Sequence, residues 1–146
     1  MAVYYPPVGF HFKVEFPGIA NGESDSKFQE VSGLTVEITT EELSIGGENR
    51  FTYRLPNRAK YSNLILKRGM LQGSELISWF SKAIENFEFK PVDVNVYLLN
   101  DNHEVSVTWV LLQAYPVKWV ISDFKAQESS LVVETIELAY QYFRRR

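Results

Sequence analysis

The sequence predicts a mainly β fold, a β-sandwich or open barrel carrying one flanking helix. Three observations predict it. Apolar and polar residues alternate strictly in several runs, most cleanly at Phe10–Phe16 and Val92–Leu98. One stretch alone, Ser74–Phe87, has the 3.6-residue apolar spacing of an amphipathic helix. Turn residues punctuate the runs: Pro17-Gly18, Ser32-Gly33, Gly46-Gly47-Glu48-Asn49 and Asn100-Asp101-Asn102-His103.

Taken in order, Tyr4-Tyr5-Pro6-Pro7 is a stiff, extended lead-in. Gly9–Phe16 is a strand with Phe10, Phe12, Val14 and Phe16 on one face and His11, Lys13 and Glu15 on the other. Gly22–Lys27 is a polar loop, and Phe28–Val31 a short strand. Leu34–Thr40 alternates again, with Leu34, Val36 and Ile38 opposite Thr35, Glu37 and Thr39. Arg50–Leu55 mirrors it beyond Gly46–Asn49, so the pair reads as a hairpin that Pro56-Asn57 closes. Mixed charge and few aliphatics over Thr40–Arg58 make this section project from the body; a surface loop is the other reading. Tyr61–Met70 is a strand containing Leu64-Ile65-Leu66.

In the helix, Leu76, Trp79, Phe80, Ala83, Ile84 and Phe87 share a face, and Ile77 alone breaks the pattern. Ser74 suits the N-cap and Glu75 the positive end of the helix dipole, while Pro91 discourages continuation. Pro91–Leu99 and Glu104–Leu112 then form a hairpin about Asn100–His103, with Val105, Val107, Trp109 and Leu111 inward. Ala114–Ser122 is a further strand, in which Pro116 predicts an edge or a bulge. Over Ser129–Phe143 a period-2 set (Val132, Glu134, Ile136, Leu138, Tyr140, Tyr142) competes with a poorer helical stripe. The β-branched run from Val132 to Ile136 favours a long strand.

With 146 residues and no repeat or linker, residues 1–146 read as one domain. The chain is 45% hydrophobic and 23% charged, as expected of a soluble globular protein. A net charge of −3 gives no footprint for a phosphate backbone, and the basic Arg144-Arg145-Arg146 reads as a solvated end. With no cysteine there is neither a disulfide framework nor a thiolate metal site. MAVYYPPVGF has no secretory-signal pattern, and no run approaches the length of a membrane span, which leads us to expect cytoplasmic synthesis and no membrane insertion.

Catalytic chemistry is not visible. His11 and His103 read as solvated, and H-E-x-x-H, G-x-S-x-G, Walker-type and G-x-G-x-x-G motifs are missing from the sequence. The spacing of Gly69 and Gly73 reads as turns leading into the helix. Glu41, Glu42, Asp93, Asp123, Glu134 and Glu137 form no pair in an apolar setting, so each reads as a solvated or interface-lining charge; as strand residues, Glu134 and Glu137 fall on opposite faces. Arg50-Phe51-Thr52-Tyr53-Arg54 mixes rings and cations as single-stranded nucleic-acid binders do, but alternation places them on opposite sides. No cofactor or metal is expected, and binding or assembly is the work such a chain can do.

An ordered set of segments carries a resemblance. These are YPPVGFHFKVEF (Tyr5–Phe16), FQEVSGL (Phe28–Leu34), LPNRAKYSNLILKRGM (Leu55–Met70), SWF (Ser78–Phe80), AYPVKW (Ala114–Trp119) and VVETIELAY (Val132–Tyr140). Together they resemble the tail-tube (inner tube) proteins of contractile phage tails and of phage-tail-like contractile injection systems. The resemblance implies two packed antiparallel sheets with one helix, hexameric rings stacked into a hollow tube, and an extended hairpin or loop, here 40–58, touching neighbouring subunits. It implies a structural, non-enzymatic role. The expected partners are sheath, baseplate or spike and tube-terminator proteins, with protein or DNA cargo in the lumen. Assembly would occur in the cytoplasm, followed by incorporation into a phage or phage-tail-like particle, including particles released outside the cell.

On this footing Glu42, Arg50, Arg54 and Arg58 are the candidate inter-subunit or inter-ring contacts, and Ser78, Lys82 and Glu85 the candidate outer face towards a sheath. Two alternatives stand beside the tube protomer: a tube-initiator or baseplate-adaptor ring of the same family, and a small β-barrel binding protein.

Overall fold

The computed structural model describes residues 11–19, 27–47, 50–69, 74–122 and 132–146. The lead-in at 4–7, Gly9 and Phe10, the polar loop at 22–26, Glu48, Asn49, Met70, Gly73, Asp123 and residues 129–131 lie outside them. In chain order the elements are β1 (His11–Glu15), β2 (Lys27–Phe28), β3 (Glu30–Ser32), β4 (Val36–Leu43), β5 (Tyr53–Tyr61), β6 (Leu64–Gly69), α1 (Glu75–Asn86), β7 (Val92–Leu99), β8 (Val105–Ile121), β9 (Val133–Ala139) and β10 (Phe143–Arg145). The fold is mainly β, with two antiparallel sheets and one helix, as the patterning predicts.

The larger sheet runs β2-β1-β7-β8-β9-β6-β3, with β10 also on β8. Its two ends are one continuous stretch, because β2 and β3 are separated only by Gln29, whose N–H donates to the Lys67 carbonyl at 2.8 Å. The sheet therefore rolls up until its two edges meet. Two devices make the roll possible. Gln113 adopts a left-handed φ of 56° in the middle of β8, and a bulge at Pro116–Lys118 shifts its register against β9. The expected strands 104–112 and 114–122 are thus one bent strand, whose first half pairs with β7 and second half with β9. Pro116 lies at the bulge, where its missing N–H is tolerated.

Inside the roll pack Val14, Phe16, Leu64, Leu66, Val94, Val96, Leu111, Ile136 and Leu138, all at most 1% exposed. These are the inward members of the alternating runs. The inward face of β8 is shorter than expected: Leu111 is buried, Val107 and Trp109 are half-buried, and Val105 is exposed because the strand overshoots the core. At Gly33 the chain turns with φ +93°, and a Cβ there would run into the Asn63 carbonyl.

Helix α1 closes over the core with Leu76, Trp79, Phe80 and Ala83. Ser74 caps it, accepting from the Ile77 N–H, and Phe87 ends it in the left-handed conformation, with the Glu88 N–H donating to the Lys82 carbonyl. That ending carries the last members of the stripe off the core. Ile84 is 55% exposed and Phe87 82% exposed, against the expectation that both are covered.

The second sheet is the ribbon β4–β5. Both strands outrun the expected hairpin, and β5 passes through Pro56-Asn57 instead of ending there. The register slips by one residue between Ile38/Ala59 and Thr40/Pro56, so Asn57 and Arg58 together oppose Thr39. This bulge accommodates the proline. The strand expected from Tyr61 begins only at Leu64, after a break at Ser62-Asn63. Of the ambiguous 129–143 stretch, the described residues from 132 onward are extended: Val133–Ala139 form β9 and, after Tyr140–Tyr142, Phe143 opens β10.

Candidate assembly surfaces

The described residues of the ribbon are almost all exposed. Val36, Ile38, Leu43, Phe51, Tyr53 and Leu55 are each 44–59% exposed. A covered face for Leu34, Val36 and Ile38 therefore fails beyond Leu34, which alone packs on the core. Cross-strand partners share a face, so Val36, Ile38, Pro56 and Ala59 form an apolar base on one side. Leu43, Tyr53 and Leu55 form an apolar tip on the other side, with Phe51 edge-on to Tyr53 at 5.1 Å.

Of the four charged candidates, Glu42 and Arg54 are register partners and lie side by side on the base face. Arg58 sits in the bulge, its carbonyl accepting from Thr39 Oγ1 at 2.9 Å, and Arg50 precedes β5. All four are exposed, but only Glu42 and Arg54 come together.

On α1, Ser78, Lys82 and Glu85 are all exposed. Ser78 and Lys82 line an open cleft of about 490 Å³ with Glu75, Trp79, Glu88 and Lys90. Glu85 lies outside it. Around the helix end is a second depression, about 320 Å³, lined by Ala83, Ile84, Phe87, Phe89, Tyr115, Pro116 and Val117. Its rings meet edge to face, Phe87 to Phe89 at 4.8 Å and Phe89 to Tyr115 at 5.8 Å. Reading the whole stripe as core hides this groove; its signal is the two extra apolar residues beyond Ala83, followed by Phe89.

The reading of Glu134 as a solvated or interface charge is overturned. Glu134 is 1% exposed and Arg68 3%, and Arg68 Nε donates to Glu134 Oε2 at 3.0 Å. Trp119 Nε1 donates to the other carboxylate oxygen at 2.8 Å, Arg68 Nη2 to Ser74 Oγ at 3.0 Å, and the guanidinium lies 5.3 Å from the Phe28 ring centre. The pair faces across β6 and β9 in register. The sequence does carry a signal for it: Arg68 continues the inward parity of Leu64 and Leu66, and Glu134 is the one polar member of its apolar set. Glu137 lies on the other face of β9 from Glu134, as expected.

The C-terminal arginines are not a loose end. Arg144 and Arg145 belong to β10, opposite Val110 and Trp109, and the Arg146 N–H donates to the Thr108 carbonyl at 2.7 Å, while the three side chains stay exposed. His11 and His103 are exposed and stacked, 5.3 Å apart. Among the described residues no group of three or more His, Asp or Glu side chains could hold a metal ion, and no helix is long and apolar enough to cross a membrane.

Comparison with known proteins gives the surfaces a context. Residues 8–144 match the family model of the T4-like virus tail tube protein gp19. No curated protein sequence matches the chain. Among solved structures, a chain of the anti-feeding prophage (AFP) baseplate is similar at 28% identity and a TM-score of 0.84, over 100% of this chain and 97% of that one. A chain of the PVC sheath-tube complex of an extracellular contractile injection system, in its extended state, is similar at 26% identity and a TM-score of 0.79, over 99% and 93%. Hcp1 from Flavobacterium johnsoniae shares the fold at 15% identity and a TM-score of 0.60, over 92% and 94%.

Proposed function

This chain belongs to the T4-like virus tail tube protein gp19 family, and from that premise we propose that it is the inner-tube protomer of a contractile injection apparatus. In this reading the 146 residues are one unit that forms six-membered rings. The rings stack into a hollow tube, which is expelled when a surrounding sheath contracts. One observation carries it: the ribbon leaves large apolar side chains of both its faces on water, a cost a monomer has no reason to bear. Polar outward residues such as Lys67, Thr135 and Glu137 suit a wet channel for protein or DNA cargo. Sheath, baseplate or spike and terminator proteins are the partners, assembly begins in the cytoplasm, and catalysis has no part in the function.

Microscopy of the chain expressed alone tests this. Negative-stain images should show hollow tubes or stacked rings; a monomer at every concentration would overturn the reading. The similarity to a baseplate chain supports a second reading, an initiator or adaptor ring, which would appear as rings that never stack. The ligand-binding barrel has no such support, since Leu, Val, Ile and Phe side chains fill the roll.

Within the tube we assign Glu42, Arg50, Arg54 and Arg58 to inter-subunit or inter-ring contacts and Ser78, Lys82 and Glu85 to the sheath side. Reversing the charge at Arg54 and Arg58 together should shorten tubes or cut their yield. Unchanged length and yield would remove both residues from the contact.

A further inference from the structure

The chain has 2 histidines, far apart in sequence, and the fold sets them side by side with their rings 5.3 Å apart. We propose that His11 and His103 form a binding site for one divalent transition-metal ion of the zinc class, with water completing its coordination. Both ligands come from one chain, so the site stands whether or not the chain builds tubes.

The backbone builds the pair. His11 is the first residue of β1 and lies opposite Leu99, the last residue of β7. The turn after Leu99 carries His103 back beside it. That turn is tightly held: Asn100 Oδ1 accepts from the N–H groups of Asn102 and Glu104, both at 2.9 Å. The His103 N–H donates to the Asn100 carbonyl at 3.0 Å, and the Asn100 N–H to the Glu104 carbonyl at 2.9 Å. His103 itself takes a left-handed φ of 62°, a conformation that glycine or asparagine fills with less strain. An imidazole stands there at a cost to the turn, and its ring is aimed at His11.

The side chains suit the ion. Both rings are exposed, and among the described residues neither makes a hydrogen bond or ion pair that would occupy its nitrogens. Two imidazoles bound at about 2.0–2.1 Å to one tetrahedral ion have ring centres about 5 Å apart, which is the separation found. The rings lie 26° from parallel, and a turn about the broad outer torsion of each histidine points one nitrogen of each at a shared ion. Imidazole selects zinc, copper or nickel over magnesium and calcium, which take oxygen ligands. Among the described residues no third His, Asp or Glu joins the pair, so two protein ligands hold the ion and its other positions stay open.

Binding would clip the start of β1 to the β7–β8 turn. Unfolding separates the two ligands, so the ion favours the folded chain.

Equilibrium dialysis against zinc tests the site, with the chain prepared without a histidine tag and held at mildly alkaline pH, because imidazole binds metal as the neutral form. The method reads single chains and assembled particles alike. The native chain should take up one zinc ion, half-saturated at submillimolar zinc. His11→Phe keeps a ring against His103 and removes only the nitrogens, and His103→Asn keeps a residue that tolerates the left-handed turn. Each should weaken binding more than tenfold. Zinc should raise the melting temperature of the native chain and leave both variants unchanged. With copper in place of zinc, electron paramagnetic resonance should show coupling to nitrogen in the native chain, lost in His11→Phe. A native chain that takes up no zinc would overturn the site. Binding that survives in His11→Phe would overturn it as well, by placing the ion on surface carboxylates.

Discussion

The buried Arg68–Glu134 pair shows how one residue can tie several elements together. Its carboxylate also receives Trp119 from β8, and its guanidinium reaches the N-cap Ser74 of α1. Removing one partner leaves the other charge buried, so Arg68→Met should cost about 3–5 kcal/mol in urea denaturation. Arg68→Met combined with Glu134→Leu should recover much of that loss, because no buried charge remains. Tyr140 presents the opposite case, a hydroxyl with no hydrogen-bond partner among the described residues. Burial, reinforced by the nearby Tyr61, pushes it from an ordinary value of 10.0 up to about 12. The folded state holds this proton more tightly than the unfolded chain, so the contribution is complete below pH 10 and disappears as pH rises towards 12. Tyr140→Phe should therefore lose less stability than the native chain between pH 10 and 12, and near pH 7 should match or exceed it. Denaturation midpoints of the two proteins across that range decide the matter.

At the scale of elements, helix α1 divides into a core half and an exposed end. Trp79→Ala or Phe80→Ala should cost about 3–5 kcal/mol in thermal or chemical denaturation, since both rings are buried in the core and Phe16 lies 6.2 Å from Trp79. Ile84→Ser and Phe87→Ser should stay within about 0.5 kcal/mol, as surface changes do. If the second pair destabilises as much as the first, the helix end packs on its own chain after all. This division also marks what the sequence made legible. Period-2 and period-3.6 patterns identify strands and helix because both reflect which side is covered. They do not say whether the cover is the same chain or another one. Ile84, Phe87, Val36 and Ile38 read as core for that reason. Pro56 misled differently: a proline usually ends a strand, and only the cross-strand register reveals the bulge that admits it. Among the four charged candidates, the pairing of Glu42 with Arg54 comes from the β4–β5 register and not from the sequence, and the groove likewise needs β8 folded against the helix end to exist.

For the whole molecule, the rolled sheet and the ribbon are energetically separate. The roll closes through the 27–32 stretch and is filled by its own side chains, and the core cluster draws no member from 36–59. The ribbon is held at its base, where Tyr61 meets Tyr140 and Phe143 at 6.1 and 5.1 Å and the Ser62 N–H donates to the Thr35 carbonyl. Replacing residues 41–55 by a two-residue Asn-Gly turn should therefore leave the roll folded, with cooperative unfolding and a melting temperature lowered by only a few degrees. The truncated chain gives up almost no surface buried within itself, which is what sets its stability. It does give up the ribbon tip, so sedimentation should find monomers under the conditions in which the proposed rings of the native chain are sought. A truncated chain that loses cooperative unfolding would show the ribbon to be part of the fold; one that still builds rings would show that assembly runs through other surfaces.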